Sequence, residues 1–259
     1  MNQKANLAHK FSAVLNSVML QNREIKYEKQ DETVPLMKYG YALRDHNDDG
    51  ADTYRIPGLA ITNKGTLIAV YDVRWNNGSD LQGDIDVGMS RSFDGGQTWE
   101  PMQIIMDRDE WGNLPEDQNG VGDPTVLVDE VTGDIWVAAL WAHGHPDRHF
   151  WGASEQGISP GKTGQLLLTK SEDDGASWSD LINITEQIKD PQWYLMFNGP
   201  GNGITTSNGT LVFPAQYVDQ SAGYPSMTQI NDTTIGVLYE SSQADLVFQK
   251  INIDEIITE

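Results

Sequence analysis

The hydrophobic rhythm of the chain changes once, near residue 40. Before that point Leu7, Phe11, Val14, Leu15 and Val18 recur at helical spacing. This predicts an amphipathic helix within a helical or extended segment over 1–39. From Tyr54 onward, short apolar runs are bounded by Gly, Asn and Asp, the signature of strands separated by tight turns. Gly65-Thr66-Leu67-Ile68-Ala69-Val70-Tyr71 reads as a turn entering a buried strand. The form returns at Gly133-Asp134-Ile135-Trp136-Val137-Ala138-Ala139-Leu140 and at Asn208-Gly209-Thr210-Leu211-Val212-Phe213. One supersecondary unit that recurs points to an array of small sheets, not one sandwich. The predicted class is all-β, with the array over 40–259.

A second repeat lies between these runs. Ser92-Phe93-Asp94-Gly95-Gly96-Gln97-Thr98-Trp99 is echoed by Ser171-Glu172-Asp173-Asp174-Gly175-Ala176-Ser177-Trp178. Both fit S-x-D-x-G-x-[ST]-W. In such a turn the carboxylate accepts backbone N–H groups, the Gly takes a positive φ, and the Trp packs back between neighbouring sheets. The motif is structural, and two copies predict a β-propeller.

Composition narrows the function. Seventeen Lys plus Arg against 38 Asp plus Glu give a net charge of −21. That balance argues against nucleic acid, whose binders neutralise phosphate with basic patches, and against an anionic membrane surface. No run of 18 apolar residues predicts a membrane span, and the absence of Cys removes disulfides and thiolate chemistry. The N-terminus offers no cleavage site of the secretory type, and the compartment stays unassigned. Twenty-five Gly and eight Trp agree with many turns and sheet-packing aromatics. The seven arginines stand at 23, 44, 55, 74, 91, 108 and 148, with none later.

Tyr54-Arg55-Ile56-Pro57 resembles the Y/F-R-I-P motif of bacterial exo-α-sialidases (neuraminidases), and the repeated turn is similar to their Asp box, or BNR repeat. Asp72-Val73-Arg74, Gly78-Ser79-Asp80, Gly122-Asp123-Pro124 and Pro200-Gly201-Asn202-Gly203-Ile204 resemble further segments of that family. So do Gly223-Tyr224 and Leu238-Tyr239-Glu240, and the likeness runs from about residue 40 to 252. The resemblance implies a sialidase-type β-propeller, six-bladed in the family, that removes terminal sialic acid from glycoproteins, gangliosides and oligosaccharides. Arg55 would bind the sugar carboxylate, since a guanidinium fork matches a carboxylate; Arg74 and Asp123 would line the sugar pocket. Asp80 would serve as acid/base, Tyr224 as nucleophile, and Glu240 as the partner that orients Arg55. A tyrosine nucleophile is a known exception among glycosidases.

No cofactor or metal is expected. Asp45-His46-Asn47-Asp48-Asp49-Gly50 resembles the front of a calcium loop, but Ile56 stands where the bidentate Glu belongs, so a solvated turn is the reading. His143, His145 and His149 lack a supporting carboxylate pattern for zinc. Their loop, with Trp141, Phe150 and Trp151, is expected to overhang the sugar pocket.

The sequence departs from the family in its second half. The resemblance implies two further arginines from later blades and a Glu base from the middle blades, before the nucleophile. Here no Arg follows 148, and the glutamates after Trp178 are 186, 240, 255 and 259. Leu211–Tyr217 looks like a middle blade and Gly223–Met227 like the final one, so an internal stretch is expected to be absent near 218–222. About four blades of sequence remain, at roughly 40 to 50 residues each. Turnover by this chain is therefore expected to be weak; the alternative expectation is an inactive, incomplete propeller that binds glycans or partners.

Overall fold

The structure, a computed structural model, describes residues 42–144, 148–218, 225–240 and 246–253. The helix expected within 1–39 lies outside them. The all-β expectation holds. Among the described residues sixteen strands form five sheets, and the helices are single turns.

The first sheet is an antiparallel meander of β1 (Thr53–Ile61), β2 (Leu67–Arg74), β3 (Ile85–Ser92) and β4 (Gln103–Met106). The second repeats that order with β5 (Asn119–Val128), β6 (Ile135–His143), β7 (Gln165–Ser171) and β8 (Ile182–Asn183). The following strands are shorter: β9 (Leu195–Asn198), β10 (Gly201–Asn202), β11 (Ile204–Thr205), β12 (Leu211–Val212) and β13 (Ala215–Val218). Of these, β10 adds in parallel to β5, β11 pairs with β12, and β13 pairs with β9. A last meander comprises β14 (Pro225–Asn231), β15 (Thr234–Glu240) and β16 (Leu246–Asn252). None of the five sheets closes on itself.

Strand β2 shows how the array packs. Side chains alternate between the two faces of a strand. Ala69, Tyr71 and Val73 point into one apolar cluster, while Ile68 and Val70 point into another. The second cluster is the main core. It joins Val87, Met89 and Met106 of the first sheet to Val121, Val126, Val137, Trp141 and Leu167 of the second. The same alternation places Asp72 and Arg74 on the face of Ile68 and Val70, so two charged side chains enter an apolar seam between sheets.

Both Asp-box turns have the expected hydrogen bonds. The Asp94 carboxylate accepts the N–H groups of Gln97 and Thr98 at 2.9 Å and the Thr98 hydroxyl at 2.6 Å. Asp173 accepts the Ser177 N–H at 2.8 Å and its hydroxyl at 2.5 Å. Two consecutive residues take positive φ in each turn, Gly95 and Gly96 in the first and Asp174 and Gly175 in the second, which is the twist of a tight hairpin. The second turn also joins the sheets: the Asp174 carboxylate accepts the Thr66 hydroxyl at 2.7 Å, and its carbonyl accepts Arg91 at 3.1 Å.

Bonds from the Thr98 hydroxyl and N–H hold the Asp94 carboxyl down to about 2, and those from Ser177 do the same at Asp173. A carboxyl whose folded pKa lies below its unfolded value of about 4 stabilises fully above pH 4 and loses that contribution as pH falls through 2. Replacing both with Asn is expected to lower the melting temperature at pH 7 by about a few degrees. The difference from the parent should shrink in thermal melts between pH 4 and pH 2.

Candidate active site

The inner strands of the first two sheets carry the same irregularity. The β1–β2 register shifts between Arg55 and Gly58, and the β5–β6 register shifts between Gly122 and Thr125. Within each bulge the residue before a proline takes a left-handed conformation: Ile56 at φ 53° and Asp123 at φ 56°. Such a φ is strained for a β-branched residue, and the residue before Pro normally prefers extended backbone. Strain of this kind persists where the surroundings over-determine it. Here the surroundings are visible. The Asp123 N–H donates to Asp72 Oδ1 at 2.8 Å, and its carbonyl accepts Asn198 Nδ2 at 2.6 Å.

Arg74 is wholly buried. Its Nε and Nη2 donate to Asp72 Oδ2 at 3.2 and 2.8 Å, and Nη2 also reaches Asp80 Oδ1 at 3.1 Å. Nη1 donates to the carbonyls of Gly78 and Ser79 at 3.1 and 2.8 Å. The guanidinium thus shapes the loop after β2 and presents Asp80, whose side chain is 37% exposed. Both donors to Asp80, Arg74 and the Leu81 N–H, converge on Oδ1.

Asp123 has a different environment. It is 1% exposed, and neither carboxylate oxygen has a hydrogen-bond partner among the described residues. Burial, then the charges of Asp72 and Asp80, push its carboxyl up to about 7 against the pull of Arg74 and Arg55. Burial also raises Asp72, which Arg74 and the Asp123 N–H counteract. Two buried acids share one buried cation, and the proton belongs on the acid that lacks donors. Arg55 stands opposite Asp72 in the β1–β2 ladder. It is exposed and makes no hydrogen bond or ion pair among the described residues.

The structure therefore brings Arg55, Arg74, Asp80 and Asp123 to one end of two neighbouring sheets. Tyr224 lies outside the described residues, and of Glu240 only the backbone is described, at the end of β15. The aromatic loop corrects an expectation. Trp141 is fully buried, stacks edge-on against Trp111 at 4.5 Å and donates to Asn119 Oδ1 at 2.8 Å; Phe150 is 1% exposed. These two rings are core and offer no face to a glycan. His145 lies outside the described residues, and among those described no acidic or histidine group has metal-site geometry, the Asp45–Gly50 turn included.

Residues 56–246 match the family described as a BNR repeat-like domain. A sialidase from Bacteroides fragilis is 48% identical over 215 residues, which are 83% of this chain and 40% of that protein. The chain belongs to the BNR-repeat sialidase family. A sialidase from Paraclostridium sordellii is 29% identical, over 78% of the chain and 47% of the relative. The solved Hadza microbial sialidase Hz136 superposes with a TM-score of 0.79 at 42% identity, covering 82% of the chain and 47% of its own. The fold is thus of the sialidase β-propeller type, and the chain spans less than half the length of these sialidases.

Asp72 stands in a motif segment of the sequence, whereas Asn198 lies in none. The signal for Asp72 was present: Asp and Arg two apart in an apolar strand share one face, so a buried pair follows.

The raised Asp123 carboxyl has a testable sign. Between about pH 4 and pH 7 the native state holds a proton that the unfolded chain releases, so stability falls as pH rises through that window. Asp123→Asn mimics the protonated acid. It is expected to melt progressively higher than the parent from pH 4 to pH 8, by about a few degrees at the upper end; a pH-independent difference would refute the assignment.

Proposed function

We propose that the chain functions in exo-α-sialidase chemistry: it takes the terminal sialic acid of a glycoconjugate at the shared end of the first two sheets and acts on its glycosidic bond. The observation that carries this reading is the convergence of Arg55, Arg74, Asp80 and Asp123 from two sheets, in a chain of the sialidase family. Sialic acid is an anion, and Arg55 is a cation left uncommitted by the described residues. A guanidinium meets a carboxylate with two parallel hydrogen bonds.

Asp80 suits the acid/base role. Two donors hold Oδ1, and Oδ2 remains for the leaving oxygen, where a positioned carboxyl donates a proton as the bond breaks. Arg74 fixes the loop that carries Asp80. Asp123, buried with both carboxyl oxygens out of solvent, stands beneath the pocket and acts on it electrostatically. Tyr224 takes the nucleophile role by the family resemblance and Glu240 that of orienting Arg55. A phenol with a pKa near 10 needs a base. The glutamates after Trp178 are 186, 240, 255 and 259, and no arginine follows 148; by the family resemblance the base and two arginines are missing, so turnover is expected to be slow.

The test is release of a fluorogenic aglycone from its α-sialoside. The chain should work at less than about one tenth of the rate of a full-length relative, and Asp80→Ala and Tyr224→Phe should each abolish the signal. Release that survives both substitutions, or none at any enzyme concentration, counts against the reading.

A further inference from the structure

We propose that Asp72 is the positioning residue of this site, a single buried carboxylate that sets both the guanidinium of Arg74 on the first sheet and the backbone of Asp123 on the second. The proposal rests on the sialic-acid reading for what the site binds, but not for its geometry.

Asp72 is fully buried, so it meets no substrate and acts through its neighbours. One oxygen, Oδ2, takes two donors from Arg74, and the other, Oδ1, takes the Asp123 N–H across 51 residues of chain. The remaining donors of Arg74 hold Gly78, Ser79 and Asp80. Two routes therefore leave one carboxylate: through Arg74 to the acid/base residue, and through a main-chain hydrogen bond to the strained bulge of Asp123. The approach is close. A Cβ on Gly122 would lie 3.0 Å from Asp72 Oδ1, so a side chain there would press on the oxygen that accepts the Asp123 N–H.

Only a carboxylate fits both routes. An amide could keep the Asp123 N–H with its oxygen, but it would turn an NH2 group toward the guanidinium, donor against donor. An alanine would leave the buried Arg74 with Asp80 as its remaining ion-pair partner and the Asp123 N–H without an acceptor. The groups that face Asp123 electrostatically are Asp72, Asp80, Arg74 and Arg55. Removing the Asp72 charge relieves Asp123 of a like neighbour and releases Arg74 toward it, and both effects favour the ionised form.

The experiment uses the full chain and Asp72→Asn, with two readouts: binding of N-acetylneuraminic acid by calorimetry, and titration of Asp123 followed by its side-chain carboxyl carbon resonance. The variant should retain the far-UV spectrum of the parent. It should bind the sugar about tenfold more weakly or worse, and its Asp123 midpoint should fall by about one unit or more. An unmoved midpoint in a folded variant overturns the proposal, since a merely structural residue would leave that titration in place. If the parent itself fails to bind the sugar, the sialic-acid reading falls while the midpoint still judges Asp72. Should the variant not fold, the Arg74 Nε–H resonance of the parent decides. Slow exchange at pH 7 is expected of a guanidinium held by Asp72, and rapid exchange overturns the proposal.

Discussion

The apolar seam between the first two sheets is the constraint on which the site depends. Ile68, Val70, Val87 and Met89 on one side meet Val121, Val126, Val137 and Leu167 on the other, and each fully buried side chain of this kind contributes about 1.5–3 kcal/mol. Packing of β5 against β1, β2 and β3 aligns two sheets of the same strand order. Gly58 shows how tight the contact is, since a Cβ there would meet the Gly201 carbonyl at 2.5 Å and Val126 at 3.2 Å. With the inner strands locked side by side, their two bulges fall at the same end. Arg55 and Asp123 come together because the hydrocarbon beneath them does.

A seam that excludes water also decides the electrostatics. An ion pair such as Asp72 with Arg74 is costly to bury, and its hydrogen bonds must be complete to offset that cost. Here Arg74 is fully donated, to Asp72, Asp80 and two carbonyls. The excess negative charge falls on Asp123, which has no donor among the described residues. Its raised carboxyl and its strained φ share one origin. The bulge is fixed through its backbone by Asp72 and Asn198, which leaves the side chain where the fold puts it rather than where solvent would hold it.

What could be read from the sequence is what a few neighbouring residues decide. The Asp-box turns were legible because carboxylate, hydroxyl and glycine lie within eight positions and satisfy one another locally. Even there, the second left-handed residue, Gly95 or Asp174, passed unnoticed beside the glycine that follows it. Strands β2 and β6 were legible as apolar runs with turn residues ahead of them. The burial of Trp141 was not, because an amphipathic ring reads equally well as core or as sugar platform until Trp111 and Asn119 are seen around it. Of the proposed site, Arg55, Arg74, Asp80 and Asp123 stand in motifs that are visible in the sequence. Asp72 escaped because its second partner is a backbone N–H in another sheet, and main-chain groups carry no signature in a sequence.

The net charge of −21 then takes on a different sense. An acidic chain repels an anionic sugar at a distance, but repulsion between exposed charges is screened beyond about 8 Å at physiological salt. Recognition is decided at contact, by which cations remain available. Arg44 is bonded to Ser90 and paired with Asp49, Arg91 is paired with Glu100, and Arg74 is enclosed by its acids. Arg108 lies over the Trp111 ring, and Arg148 donates to the Gly152 carbonyl. The fold thus commits these cations to itself and leaves Arg55 exposed beside a bulge. Among the described residues Arg55 makes no hydrogen bond or ion pair, which leaves its fork uncommitted there.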